Sequence, residues 1–201
     1  MGNPFLNSVG FILGTLLNLY ATVVAVRFVM QVVRADYYNP LAQAIVKITD
    51  PLLKPLRRII PSIKRYDTAS LLLCFVVLLV KLFVFKALSL GVVPAMGTGI
   101  MVSQLPFVGM TIVAFLDVIH QFFNVFIFAL IIMAIMSWFP GSTGNPAYGL
   151  ASSIGAPALK PLRKLIPTIS GLDLTVFFTI LALYASRMFL LGTLQTVFGL
   201  H

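Results

Sequence analysis

The sequence predicts an all-α membrane protein with four long hydrophobic helices, arranged as two parallel-repeat hairpins with short amphipathic interfacial helices on the cytoplasmic side. The first observation is composition, because 60% of the residues are hydrophobic and only 9% are charged, against roughly 25% charged in a soluble domain. The second is a basic, proline-rich stretch at residues 51–67 that recurs at 157–173, with ten of seventeen positions identical. Similarity at a constant offset, here 106 residues, indicates a duplicated structural unit.

Four apolar blocks carry the predicted spans, at roughly residues 5–33, 68–93, 107–139 and 174–199. Each exceeds the ~20 residues that a helix needs to cross the hydrocarbon layer. The first block has no Lys or Arg before Arg27 and is too long for a cleaved signal peptide, so we expect it to remain as a span. The chain then divides into a first repeat (1–90), an external connector (91–106) and a second repeat (107–201).

The positions of the cations predict the orientation. Seven Lys or Arg residues lie between Arg34 and Arg65, three lie between Lys160 and Lys164, and none lies between Leu88 and Gln121. By the positive-inside rule both repeated basic stretches face the cytoplasm, and both termini face the other side of the membrane. The net charge of +9 is then explained by membrane topology and by binding to lipid headgroups, and no nucleic-acid partner is expected.

The first span contains an asparagine that belongs to the repeat. Asn18 has its counterpart at Asn124, so the duplication includes the first span of each half. Gly10 and Gly14 lie four residues apart, a spacing that lets a second helix approach closely. We expect packing within the chain, with dimerisation as the alternative.

Each half continues with a basic interfacial segment, 40–66 and 146–172. Asn39-Pro40 and Asn145-Pro146 are expected to end the span and start a short helix. Asp50 and Pro51 are the predicted N-cap and first residue of the next helix, which Pro55 should kink or delay. Its apolar side should rest on the membrane, with its basic side free for anionic lipid headgroups or a partner protein. The predicted contact residues are Lys54, Arg57, Arg58, Lys160, Arg163 and Lys164, and the repeated prolines are Pro51, Pro55, Pro61, Pro157, Pro161 and Pro167.

An aspartate opens the second span of each half. Asp67 and Asp173 are expected to be helix N-caps, stabilised by the positive end of the helix dipole. In a more specific interpretation, each also pairs with the arginine of its own repeat, Arg57 or Arg163, and so fixes the interfacial helix to the bundle.

Ionisable and amide side chains also lie within the spans. Lys81 and Arg187 are equivalent in the two halves, and Asp117, His120 and Asn124 form a stripe on the third span. Asp117 is expected within reach of Lys81 or Lys86. Structural pairing between helices and a transport or proton-relay role both remain open for these groups.

The repeated pattern resembles one known family. Two membrane hairpins, each with Asn-Pro after its first span, Pro-x-Leu-Lys-Pro-Leu-Arg-[Arg/Lys]-x-Ile-Pro and an Asp before the next span, are similar to the YggT family of bacterial and plastid membrane proteins. The second copy differs in having Ala156 where the first has Asp50. The resemblance implies a bacterial inner membrane, with both termini in the periplasm. It also implies a role in osmotic-stress tolerance, cell division, or assembly of a membrane cytochrome and nucleoid organisation in plastids.

The residue types disfavour an enzyme. The chain has no Glu, two His, one Cys (Cys74) and no metal-ligand cluster or phosphate-binding loop, so we expect no catalytic residue, metal or cofactor. The preferred function is a scaffold, assembly or osmotic-stress adaptation factor that acts through the basic face. The alternative is a component of a small-solute or ion transporter or channel that works as an oligomer. A simple potassium pore is disfavoured because cations outnumber Asp117 among the embedded charges.

Overall fold

The computed structural model describes residues 4–61, 66–90, 92–103, 105–139, 141, 144–164 and 174–199. Within these ranges the chain forms six helices and one two-stranded hairpin. In chain order they are α1 (Pro4–Val33), α2 (Pro40–Ile59), α3 (Thr68–Ala87), β1 (Val92–Ala95), β2 (Thr98–Met101), α4 (Phe107–Met136), α5 (Pro146–Leu162) and α6 (Thr175–Val197).

Four of these helices are long and apolar enough to cross a membrane. They are α1, α3, α4 and α6, and they fall on the four predicted apolar blocks. Since α1 and α4 each contain 30 residues, each is about 45 Å long. The prediction of a mostly helical chain with four candidate membrane-spanning helices is confirmed.

The packing places the first helix of each half at the centre. Helix α1 packs on α3, α4 packs on α6, and α1 and α4 pack on each other. The halves then differ, because α3 also packs on α4 whereas α6 makes no comparable contact with α1. Half of the most apolar window of α3 is buried but only 17% of that of α6. Helix α6 is therefore the most peripheral span.

The two glycines of α1 pack within the chain. A Cβ on Gly14 would lie 3.0 Å from Phe85 Cζ and 3.2 Å from Pro94 Cγ, and Gly10 faces Leu90. The spacing of small residues therefore lets α3 and the hairpin approach α1, as expected.

Helix α2 is continuous, and the prediction that Asp50 caps a second helix is wrong. The N-cap is Asn39, whose Oδ1 accepts a hydrogen bond from Leu41 N at 2.9 Å. Pro51 and Pro55 lie inside the helix on its exposed side, where solvent can reach the carbonyl groups that lose a partner. Packing of the opposite face, at Ala42, Thr49 and Leu53, outweighs the local cost of the prolines.

The connector at 91–106 contains a β-hairpin, which the all-α prediction did not include. Its strands pair in antiparallel register from Val92 with Met101 to Ala95 with Thr98. The turn residues Met96 and Gly97 both have positive φ, 53° and 79°, as in a two-residue type I′ turn. Strand β1 contacts α1, α3 and α4, so the hairpin packs onto the bundle instead of extending from it. Pro167 and Asp173 lie outside the described residues, and their predicted roles stay predictions.

Candidate functional site

A buried ion pair lies where the two halves meet the hairpin. Lys81 on α3 is fully buried, and its Nζ donates to Asp117 Oδ2 on α4 at 2.6 Å. The same ammonium group donates to Asn18 Oδ1 on α1 and to the Pro94 carbonyl of β1, both at 2.8 Å. All three N–H groups of Lys81 therefore have an acceptor. The structure thus brings together three residues that the sequence singled out.

The hairpin completes this cluster through its backbone. The Met96 amide donates to Asp117 Oδ1 at 2.8 Å, so both carboxylate oxygens have a partner. Next to it, Gly97 approaches His120 so closely that a Cβ would lie 3.0 Å from the imidazole Cε1. A buried ion pair is stable only when its remaining hydrogen-bonding capacity is satisfied. The cluster therefore holds the hairpin, α1, α3 and α4 together.

The second half has an equivalent amide–cation pair. Arg187 Nη1 on α6 donates to Asn124 Oδ1 on α4 at 2.7 Å, and the guanidinium lies 4.3 Å from the centre of the Tyr184 ring. Asn18–Lys81 and Asn124–Arg187 have the same separation in sequence, 63 residues. Unlike Lys81, Arg187 has no carboxylate within ion-pair distance among the residues described.

A groove with a volume of about 430 Å³ opens between α1 and α4 beneath the hairpin turn. Phe11, Leu19 and Phe128 form part of its apolar wall. Thr22 and Gln121 face each other across it, with Thr22 Oγ1 donating to Gln121 Oε1 at 2.9 Å. His120, only 7% exposed, also lines the groove, and its Nδ1 has no partner in the described part of the chain.

At the other end of the bundle, Asp67 lies against both the end of α2 and the start of α3. Its carboxylate caps α3 by accepting from Ser70 N at 3.4 Å and forms a salt bridge with Arg57, the pairing expected for this half. Burial by itself would raise the pKa of Asp67. The hydrogen bonds from Arg57 and Ser70 and the charge of Arg57 outweigh burial, so the pKa is lowered. The Pro61 carbonyl accepts from Thr68 Oγ1 at 2.8 Å and adds a second link to α3.

Arg27 and Asp50 form a second charged contact at this end, which the sequence analysis did not anticipate. Arg27 is only 6% exposed, and its Nη2 lies 3.7 Å from Asp50 Oδ1, which belongs to α2. Asp50 Oδ2 also lies 3.1 Å from Lys54 Nζ. The isolated cation in the first apolar block was the available signal, because an arginine there needs a partner on a neighbouring helix.

The remaining predicted contact cations are exposed. Lys54 and Arg58 lie in the last two turns of α2, Lys160 lies in the last turn of α5, and Arg163 and Lys164 follow it. We call this region, where α2 and α5 end and α3 begins, the basic end. Pro157 and Pro161 lie inside α5, as Pro51 and Pro55 do inside α2. Among the described residues, no group of three or more His, Cys, Asp or Glu side chains could hold a metal ion.

Four apolar helices long enough to cross a bilayer, with an ion pair buried between two of them, are typical of a multi-pass α-helical membrane protein. The CCB3/YggT family model matches residues 6–88 and again residues 112–194, which together make up most of the chain. The protein belongs to this family. The two matched segments begin 106 residues apart (112 − 6), the offset of the sequence repeat.

The relatives are bacterial proteins that are similar over nearly their whole length. An uncharacterized protein of Pseudomonas aeruginosa is 42% identical over 94% of this chain and 91% of its own length. An uncharacterized protein of Haemophilus influenzae is 34% identical over 96% and 99%. The uncharacterized protein YggT of Escherichia coli K12 is 33% identical over 94% and 93%. No solved structure matches the chain.

Proposed function

We propose that this protein is a non-enzymatic scaffold of the bacterial inner membrane, used in assembly or in stress adaptation. In this proposal its basic end faces the cytoplasm, both termini face the periplasm, and the basic end binds anionic groups. Those groups belong to lipid headgroups or to an acidic surface of a partner protein. The observation that carries the proposal is the division of α2 into three faces.

One face of α2 is buried, and the other two are exposed and chemically different. Leu41, Ile48, Leu52 and Ile59 are exposed and lie within about 40° of one another at ~100° per residue. A second exposed stripe, about 120° away, contains Lys47, Lys54 and Arg58. An exposed apolar stripe beside an exposed basic stripe is typical of a helix at the membrane surface, where each cation near an anionic leaflet contributes about 1 kcal/mol.

The buried charges support a scaffold more than a conducting path. Asp117 is the anion that a cation pathway would use, but both of its oxygens are bonded, to Lys81 and to Met96 N. The hairpin turn covers this pair on the side away from the basic end. A carboxylate that is held at both oxygens, by an ammonium group and by a backbone amide, acts as a structural support, and a passing cation would have to displace Lys81 from it.

The experiment compares crosslinked complexes purified from native membranes. The test variant removes four exposed cations: Lys54→Gln/Arg58→Gln/Lys160→Gln/Lys164→Gln. It retains the Arg57–Asp67 salt bridge, and Arg34 and Lys47 remain to maintain topology. Copurified proteins and anionic lipids are both quantified by mass spectrometry. We expect the variant to lose a protein or an anionic lipid that the wild type retains, and the two readouts identify which.

The matched control is Lys86→Gln at the opposite end, where Lys86 Nζ donates to the Leu105 carbonyl at 2.6 Å. It should retain the proteins and lipids of the wild type. Unchanged protein and lipid recovery in the quadruple variant would overturn the proposal, and equal losses in the Lys86→Gln control would show that the effect is not specific to the basic end.

A further inference from the structure

Arg187 is a cation in the middle of α6, and no carboxylate among the described residues neutralises its charge. It lies ten residues before the end of α6 at Val197 and twelve after its start at Thr175. At 1.5 Å per residue, the nearer helix end is about 15 Å away, farther than an arginine side chain reaches. Asn124 and Tyr184 contact the guanidinium, but neither carries a negative charge. A charge at this depth is costly unless it is paired.

The duplication shows what is missing. Lys81 and Arg187 are equivalent at the 106-residue offset, and so are the amides that bind them, Asn18 and Asn124. Lys81 obtains its anion from Asp117 on α4, across the interface between the halves. The position equivalent to Asp117 in the first half is 117 − 106 = 11, which is Phe11. Among the described residues, the second cation thus has its amide ligand but no carboxylate.

The packing leaves space where that carboxylate would enter. Helix α3 packs against both α1 and α4, whereas α6 packs against α4 and not comparably against α1. The groove runs between α1 and α4, and Phe11, 73% exposed, lines it together with Asn124 and with His120, whose Nδ1 has no partner among the described residues. Asn124 both lines the groove and accepts the hydrogen bond from Arg187, so the groove combines an exposed apolar wall with an amide that contacts Arg187.

We propose that this groove binds a transmembrane helix of a partner protein that carries an Asp or Glu near its middle, and that this carboxylate pairs with Arg187 as Asp117 pairs with Lys81. A lipid phosphate fits less well, because headgroups lie near the helix ends, about 15 Å from Arg187. A second copy of this chain also fits less well. Its one mid-span carboxylate, Asp117, is already bonded, and Asp36, Asp50, Asp67 and Asp173 lie in sequence outside the spans.

The test uses synthetic helices as the probe. Three Leu/Ala transmembrane peptides that differ only in the central residue, Asp, Asn or Ala, are labelled and mixed with labelled full-length protein in phosphatidylcholine liposomes at pH 8. Association is measured by resonance energy transfer. The wild type should bind the Asp peptide at least ~10-fold more tightly than the Ala peptide, with the Asn peptide between them. Arg187→Gln should abolish the preference for Asp, whereas Arg187→Lys should keep most of it.

The comparison of Asp and Ala peptides on the wild-type protein decides the question even if a variant folds poorly. Equal binding of the two peptides would overturn the proposal, as would an Asp preference that survives in well-folded Arg187→Gln. Displacement of the Asp peptide by phosphatidylglycerol would assign the site to an anionic lipid instead, and energy transfer between two differently labelled copies of the protein that disappears in Arg187→Gln would assign it to a second copy. The basic end is untouched in these experiments, so their outcome is independent of the function proposed above.

Discussion

Single residues in this protein show how a membrane span can contain charge. Lys81 and Asp117 are both buried within the bundle; all three N–H groups of Lys81 have an acceptor, and each carboxylate oxygen of Asp117 accepts a hydrogen bond. The sequence predicted that Asp117 would meet Lys81 or Lys86, because helical spacing places both near it. It could not decide between them, because Lys86 is satisfied by the Leu105 carbonyl, a backbone contact that has no side-chain signature.

Removing one member of the buried ion pair should lower the unfolding free energy more than removing both. Lys81→Met leaves Asp117 charged and without its partner, so we expect a loss of about 3 to 5 kcal/mol in unfolding free energy. In the double variant Lys81→Met/Asp117→Leu both charges are gone, and most of that loss should be recovered. Thermal unfolding in detergent measures both variants, with Lys86→Met as the control at a nearby cation. A double variant less stable than Lys81→Met would contradict this account of the pair.

Asp67 should make stability depend on acid pH. Its folded-state pKa is lowered, so its contribution is present above the unfolded value of roughly 3.9 and is lost as pH falls through the folded value. Asp67→Asn should therefore be less stable by about 1 to 2 kcal/mol at pH 7, a modest figure because Arg57 is partly solvated. The difference should shrink toward zero in strong acid. Unfolding curves of both proteins at several pH values would refute this if the difference were constant.

At the scale of elements, the lengths of the apolar blocks predicted the spans well, whereas the proline-containing cap motifs predicted the connections less well. Asn39-Pro40 and Asn145-Pro146 mark the starts of α2 and α5 as expected. Asp50-Pro51 is also a polar residue followed by proline, but no helix begins there. Burial of Thr49 and Leu53 stabilises α2 across this position. The hairpin was missed because its structural role rests on two backbone groups, the Pro94 carbonyl and the Met96 amide.

The two helix caps provide a matched pair of variants. Asn39 caps α2 and also donates from Nδ2 to the Pro146 carbonyl at 2.7 Å, across to the other half, whereas Asn145 caps α5 by accepting from Ala147 N. Loss of a cap costs about 1 kcal/mol. Asn39→Ala should cost about 1 kcal/mol more than Asn145→Ala because it also loses this contact between halves. Equal unfolding free energies for the two variants would show that the contact contributes nothing.

At the scale of the whole molecule, the duplication predicts much of the architecture but not its asymmetry. Equivalent amides, cations and caps lie at the same offset, as the repeat implies. The departures follow from residues that differ between halves, since Phe11 stands where the second half has Asp117 and Ala156 where the first has Asp50. Whether α6 would close on α1 depends on packing between distant segments, which residue patterns do not encode. Asp117 and the hairpin make the α3 side compact, and the α6 side stays open.

Both basic segments are proposed to face the cytoplasm, and the accessibility of single cysteines is the most direct test of this orientation. In a Cys74→Ala background, Lys54→Cys and Lys160→Cys report on the two basic segments and Thr98→Cys reports on the hairpin. All three positions are exposed. In intact spheroplasts a membrane-impermeant maleimide should label only Thr98→Cys, and the other two should react only after lysis. Labelling of Lys54→Cys or Lys160→Cys before lysis would contradict the shared orientation of the halves and, with it, the proposed cytoplasmic face.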